Sequence, residues 1–250
     1  MLEVDRVTVR YGGLVAVKEL SFTVKPGEIC AIVGPNGAGK TSVFNAIDGF
    51  TSVQSGSIRF DGKEILGLPP HKIAALGIGR TFQHGGLIPD LTVLENVMLG
   101  RTTEMQAGIP SVIFGGEKSR KEESSALAAS LSMLRTMKLE KLADTRTDLL
   151  PGGQQRLVEI SRALVSGAKL LLLDEPAVGL FETERTNLCT VLKQFAIEKV
   201  GILLVEHVLD VVRAVSDRVI FMSYGEKLAE CRPDELHNIE RVRDIYLGHA

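Results

Sequence analysis

The sequence predicts an α/β protein on a mainly parallel sheet, with an antiparallel β element at its N-terminus and helices inserted midway. Three observations predict it. Short, wholly apolar runs at 29–33, 170–173 and 202–205 have the length and composition of strands buried on both faces. Helical periodicity fills most of the intervals after residue 40, and strands alternating with helices imply a parallel sheet covered on both sides. Residues 2–10 alternate imperfectly through Leu2, Val4, Val7 and Val9, as a half-buried strand does.

Each element has a local reason. A Gly12-Gly13 turn separates the first strand from a second at 21–24, making a hairpin-like unit. The buried run at 29–33 stops at a glycine-rich turn, and 41–50 then reads as a helix. Residues 57–60 with the Asp61-Gly62 turn suggest another hairpin. Pro69-Pro70 through Gly77 carries a helix start signal and a stop signal. Thr92 with Glu95 is a capping-box pattern opening a further helix. Residues 102–118 hold Gly108, Pro110, Gly115 and Gly116 without periodicity and read as a loop or short insertion, and the charged run 117–123 as the solvated start of a helix. Helical spacing follows in Leu127, Leu131, Leu134 and Met137, and again in Leu157, Ile160, Leu164 and Val165. Strands then return at 170–174, 202–206 and 218–222, with a helix presenting Leu188, Val191, Leu192 and Phe195 between the first two. The expected organisation is one unit over 1–250, with a core at 1–83 and 166–250 and a helical subdomain at about 84–165.

Composition narrows the function. Twenty-nine Lys and Arg against 31 Asp and Glu give a net charge of −2, without the basic excess of a nucleic-acid binder. No tryptophan and 5% aromatic residues argue against a base-stacking surface. Cys30, Cys189 and Cys231 are far apart and odd in number, so neither a disulfide framework nor a metal-spaced pair is expected. No run approaches the ~20 apolar residues needed to span a bilayer. The chain is expected in the cytosol, touching a membrane only through a partner. His71, His84, His237 and His249 have no metal-like partners at ligand spacing.

The chemistry starts at Gly34-Pro35-Asn36-Gly37-Ala38-Gly39-Lys40-Thr41, a GxxxxGK[ST] loop between a buried strand and a helix. Glycines let backbone N–H groups curl around phosphate oxygens, and the helix N-terminus adds partial positive charge. Lys40 is placed to reach the β- and γ-phosphates, the Thr41 hydroxyl to ligate Mg²⁺, and Ser42 to complete the loop. A mononucleotide site needs a second acidic element. Asp174, ending the apolar run 170–173, is expected to hold Mg²⁺ through water, and Glu175 to polarise the attacking water as general base. The adjacent Glu points to hydrolysis of the nucleotide and not only to binding.

Further segments, in order, resemble those of the ATP-binding-cassette (ABC) ATPase family over nearly the whole chain. Gln83, in Gly79-Arg-Thr-Phe-Gln83, resembles the glutamine loop, and Leu150-Pro-Gly-Gly-Gln154-Gln155 resembles the signature motif. Gly179-Leu180-Phe181 lies where the D-loop belongs, His207 where the switch histidine belongs, and Tyr11 where an aromatic stacks on adenine. The resemblance implies a P-loop, RecA-like core and two ATPase subunits sandwiching two Mg-ATP. Each nucleotide would lie between one subunit's phosphate loop and the other's Gly152, Gly153 and Gln154. It gives Glu175, His207, Gln83 and Lys40 to catalysis and Thr41, Gln83 and Asp174 to the metal.

Residues 79–84 and 91–97, the insertion at 102–118 and the terminal Tyr246-Leu-Gly248 look like the branched-chain amino-acid importer subfamily. That implies two membrane permease subunits, indirectly a solute-binding protein, no nucleic acid, and a peripheral place on the cytoplasmic face of the membrane. Urea or amide uptake, lipopolysaccharide export, a non-transport ABC ATPase and a silent structural subunit stay open. Pro151 stands where the signature serine belongs, Phe181 replaces a usual polar residue, and Val208 follows His207 where an acid is common. Pro151 and Phe181 both serve a partner's nucleotide, whereas the residues serving this chain's own are intact. A heterodimer with unequal sites is expected on that pattern, with a homodimer the alternative.

Overall fold

The computed structural model describes residues 1–81, 86–104 and 117–239. Gln83 and His84, most of the 102–118 insertion, Tyr246-Leu-Gly248 and His249 lie outside the described residues.

Strands β1 (Leu2–Tyr11), β2 (Leu14–Val24), β3 (Ile29–Val33), β4 (Ser55–Phe60) and β5 (Lys63–Glu64) come first in the order of strands. Helix α1 (Lys40–Ile47) lies between β3 and β4. Helix α2 (Pro70–Ala75), strand β6 (Ile78–Arg80), helix α3 (Val93–Met98) and a 3₁₀ stretch Leu99–Glu104 follow. Then come α4 (Glu117–Thr136), α5 (Gly152–Leu164), β7 (Leu170–Asp174), α6 (Glu182–Ile197) and β8 (Gly201–Val205). Helix α7 (Leu209–Val215), β9 (Arg218–Ser223) and β10 (Glu226–Cys231) close the described fold, with a 3₁₀ turn at Pro233–Asn238.

Two sheets form. The smaller is antiparallel, in the order β2-β1-β4-β5, and the larger runs β10-β9-β3-β8-β7-β6. In the larger sheet β9, β3, β8, β7 and β6 are mutually parallel, and β10 adds an antiparallel edge. This is the expected α/β core with an N-terminal antiparallel element. β3, β7 and β8 are buried at every residue, which is why their sequences do not alternate. One apolar cluster lies between the two sheets and includes Leu2, Phe22, Phe44 and Ile58. The other covers the opposite face, where Ile29 and Ala31 of β3 share a continuous core with Val93, Leu134, Leu157 and Leu192.

Several expectations shift. β2 begins at Leu14, seven residues before the segment read from sequence, because its bulged register with β1 masks the alternation. Helix α1 ends at Ile47 and not Phe50, because Asp48 caps it and Gly49 turns at φ 75°. The described part of α4 begins at Glu117, where the charged run 117–123 reads as a helix start, two residues inside the segment read as loop. β6 and β10 were not expected as strands. The Thr92 capping box is formed: Thr92 Oγ1 accepts from the Glu95 N–H at 3.2 Å, and Glu95 Oε2 accepts from the Thr92 N–H at 2.8 Å.

Candidate functional site

In a doubly covered parallel sheet, ligands bind beyond the carboxyl ends of the strands. The ends of β3, β8 and β7 are neighbours here, since Ile32 pairs with Val205 and Val205 with Asp174. The glycine loop leaves β3, Glu206-His207 leaves β8 and Glu175 leaves β7. Three apolar strands thus deliver residues far apart in sequence to one edge.

The loop geometry depends on two glycines. Gly34 has φ 152°, and a Cβ there would lie 2.0 Å from the Met222 carbonyl oxygen. Gly39 has φ 99°, and its Cβ would lie 2.2 Å from the Ala16 carbonyl oxygen. No other residue fits either place without moving backbone. Lys40 opens α1 and turns back over the loop, donating from Nζ to the carbonyls of Gly34 at 2.8 Å and Pro35 at 2.9 Å. Burial lowers its ammonium below the ordinary lysine value, and the charges of Glu175 and Asp174 oppose that. Asn36 and Gly37 are exposed, as is Thr41, so the loop crest and this hydroxyl face solvent. The phenol of Tyr11, half exposed at the end of β1, is raised by burial. Hydrogen bonds with Thr51, Ser42 and Asn45 outweigh this and bring it below its usual value.

Asp174 is 1% exposed, and both carboxylate oxygens are buried without a hydrogen-bond donor. Burial raises its pKa, while Arg80, with Nη2 at 3.6 Å from Oδ2, pulls it down. A buried carboxylate with unclaimed lone pairs fits a divalent cation. Among the described residues no cluster of three His, Cys, Asp or Glu forms an all-protein metal cage. Glu175 adopts the left-handed conformation at φ 50°, uncommon for a residue with a Cβ. Its N–H donates to the Val205 carbonyl at 2.8 Å, and its Oε1 lies 2.7 Å from Nε2 of His207. Two of the residues given to catalysis by the resemblance are thus in contact.

Gly152, Gly153 and Gln154 start α5. Pro151 is its N-cap, at φ −54°. Its carbonyl accepts from the Gln155 N–H at 3.0 Å, but it offers no side-chain cap. Gly152 and Glu175 line one cavity of 410 Å³ together with Gln155, Arg156, Glu159 and Gly179. Phe181 caps α6 with no oxygen to offer and is 74% exposed. Its N–H donates to Glu184 instead.

Sequence reasoning missed two residues. Arg80 is buried and donates from Nη1 to Asn45 Oδ1 at 2.8 Å and Asp48 Oδ2 at 2.9 Å, over the Phe44 ring. It joins the phosphate-loop helix to Asp174. Glu206, wholly buried, accepts backbone N–H groups from both acidic and histidine loops. The five-residue motif Gly79–Gln83 was a signal for the first; nothing local marks the second.

Asp48 gives a pH prediction. Burial, opposed by Arg80, pushes its carboxyl up to about 6 from 3.8. The folded chain thus binds that proton more tightly than the unfolded one. This contribution to stability is full below pH 3.8 and is lost as pH rises through about 6. Denaturant titrations of Asp48→Asn across pH 4–7 are expected to show a flatter profile than wild type; an unchanged profile would refute it.

Comparison with known proteins gives a consistent picture. The model of the family described as ABC transporter matches residues 17–178. The chain is 36% identical over its whole length to the high-affinity branched-chain amino acid transport ATP-binding protein BraF of Pseudomonas aeruginosa, covering 98% of it. It is 35% identical to LivG of Escherichia coli, a protein of the same description, over 100% of the chain and 98% of LivG. Among solved structures, a nucleotide-free ATP-binding cassette from an ABC transporter aligns with TM-score 0.85 at 29% identity, covering 98% of each chain. A dimeric bacterial ABC transporter cassette aligns with TM-score 0.81 at 27% identity, over 93% of this chain and 99% of that one.

Proposed function

The chain belongs to the ABC transporter ATP-binding family, and from that premise we propose that it hydrolyses Mg-ATP to drive uptake of branched-chain or other hydrophobic amino acids. The observation that carries hydrolysis is the Glu175–His207 contact at 2.7 Å, beside the loop that holds Lys40. The glycine-loop N–H groups and Lys40 hold the phosphates, while Tyr11 offers its ring to the base. Thr41 and Asp174, with Gln83, would hold the metal, which would neutralise charge on the phosphate oxygens. Glu175 takes the proton of the attacking water, and the one Nε2–H of His207 is shared between that carboxylate, which it orients, and the γ-phosphate. Catalysis is positioning and charge stabilisation, without a covalent intermediate.

The solute class rests on full-length similarity to BraF and LivG, named for branched-chain amino acid transport. Among the described residues no helix is long and apolar enough to cross a membrane; in this reading the solute passes through permease subunits. A cavity of 440 Å³ lined by Phe50, His71, Leu99, Gly100 and Arg162 supports that reading, since it lies against Arg80 and the strand leading to Gln83. A permease segment seated there would feel the loop move. The second ATPase subunit differs from this one: the uncapped, serine-free start of α5 and exposed Phe181 weaken what this chain gives a partner's nucleotide. The complex sits on the cytoplasmic membrane face and receives solute from a binding protein.

The test is ATP-dependent uptake of labelled leucine, isoleucine and valine by membranes containing the chain and its co-purifying permeases, with urea and acetamide as competitors. Saturable uptake lost in Lys40→Ala is the expected result. Uptake of urea alone, or a chain that co-purifies with no permease, would overturn the assignment.

A further inference from the structure

We propose that Glu206 is a positioning residue for hydrolysis, whose buried carboxylate holds together the two loops that bring Glu175 and His207 into contact. The inference rests on the assignment of those two residues to hydrolysis.

Glu206 follows β8 directly and is 0% exposed. Its Oε1 accepts from the Ala177 N–H at 2.9 Å, and its Oε2 from the N–H groups of His207 at 2.7 Å and Val208 at 3.2 Å. A carboxylate is costly to bury unless donors converge on it. Here three do, from two different loops. Ala177 lies two residues past Glu175, and the Glu175 N–H is itself bound to Val205 O. The left-handed turn at Glu175 is therefore pinned on one side by β8 backbone and on the other by the Glu206 side chain. His207 is pinned by the same carboxylate through its own N–H. The circuit closes where His207 Nε2 meets Glu175 Oε1.

The acceptor-only chemistry of the carboxylate is required. An amide has one acceptor oxygen and an NH₂ that only donates. Whichever way glutamine turned, its NH₂ would face N–H donors, either that of Ala177 or those of His207 and Val208. Keeping the two-donor side leaves Ala177 untethered, and the Glu175 turn loses its second anchor. None of these bonds involves Lys40 or residues 34–42, so nucleotide binding should be spared.

The experiment compares wild type, Glu206→Gln and Glu206→Asp in the assembled transporter, and the same chains alone by NMR of ¹⁵N-labelled histidine rings. The His207 signal is assigned by its loss in His207→Gln. A carboxylate accepts, so the contact at 2.7 Å is expected to hold the wild-type ring with a proton on Nε2. Glu206→Gln is expected to lower kcat about 10- to 100-fold. It should leave KM for ATP within about threefold, and erase the fixed Nε2–H signature. Glu206→Asp, with two acceptor oxygens on a shorter arm, is expected to recover part of each, and carries the test if the glutamine variant does not fold. Wild-type kcat and an unchanged His207 tautomer in Glu206→Gln would overturn the inference. So would a loss of activity that merely tracks the unfolded fraction, with the ring signature intact. Glu175→Gln and His207→Ala run alongside. If both keep full turnover, the hydrolysis assignment fails; if both lose it while Glu206→Gln does not, only the role of Glu206 fails.

Discussion

Glu175→Gln is expected to lower ATP turnover by roughly 10²–10⁴-fold while leaving ATP binding intact. The substitution is isosteric, and a glutamine oxygen can still accept from His207 Nε2, so the 2.7 Å contact and the left-handed turn both survive. What disappears is the ability to take a proton from water. The phosphate loop is untouched, because Lys40 is held by Gly34 and Pro35 carbonyls and not by Glu175. A chain that binds ATP without cleaving it should accumulate in the closed, ATP-sandwiched pair. Phosphate release and light-scattering mass, measured on the same sample with Mg-ATP, check both halves. Turnover within threefold of wild type would remove Glu175 from the role of base. The same substitution tests the asymmetry of the pair. With unequal sites, Glu175→Gln in this chain removes nearly all turnover, and the matching change in the partner removes little. Equal losses would mean that Pro151 and Phe181 are tolerated in two equivalent sites.

The legible part of this molecule was what chain-local physics writes into neighbouring residues. β3, β7 and β8 are buried on both faces, so their apolar runs announced them. The phosphate loop and the Asp174-Glu175 step needed only that each follow such a strand. The Thr92 capping box was readable because both partners sit within four residues. β6 was not readable: three residues, one a glycine, carry no periodicity, and only pairing with Leu170–Leu172 makes them a strand. β10 is a partly exposed antiparallel edge whose polar sequence resembles a loop. Arg80 and Glu206 were missed for a related reason. Each is a charged residue made useful by burial, and burial is set by strands that pair across more than ninety residues in one case and by a neighbouring loop in the other. Sequence marked the groups that the proposed function gives to the nucleotide; it did not mark those that hold them in place.

Arg80→Met tests that distinction through stability. Methionine preserves much of the side chain's length and its contact with the Phe44 ring, so the volume lost is small. The charge lost is not. Arg80 and Asp48 are 7% and 8% exposed at their side chains, 2.9 Å apart, and Asp174, at 1%, has its nearest guanidinium nitrogen 3.6 Å away. Removing one partner of a buried ion pair leaves an uncompensated charge, which costs about 3–5 kcal/mol. For a chain of this length that corresponds to a fall in Tm of roughly 6–20 °C. Neutralising Asp48 as well should return part of the loss, because the stranded carboxylate is gone, so Arg80→Met with Asp48→Asn is expected to be more stable than Arg80→Met alone. The part not returned belongs to Asp174. It should appear as a changed Mg²⁺ requirement for nucleotide binding, read by titrating Mn²⁺ against bound ADP by electron paramagnetic resonance. A destabilisation below about 1 kcal/mol, the scale of a surface ion pair, would show that the guanidinium does not bridge the phosphate-loop helix and the acidic strand.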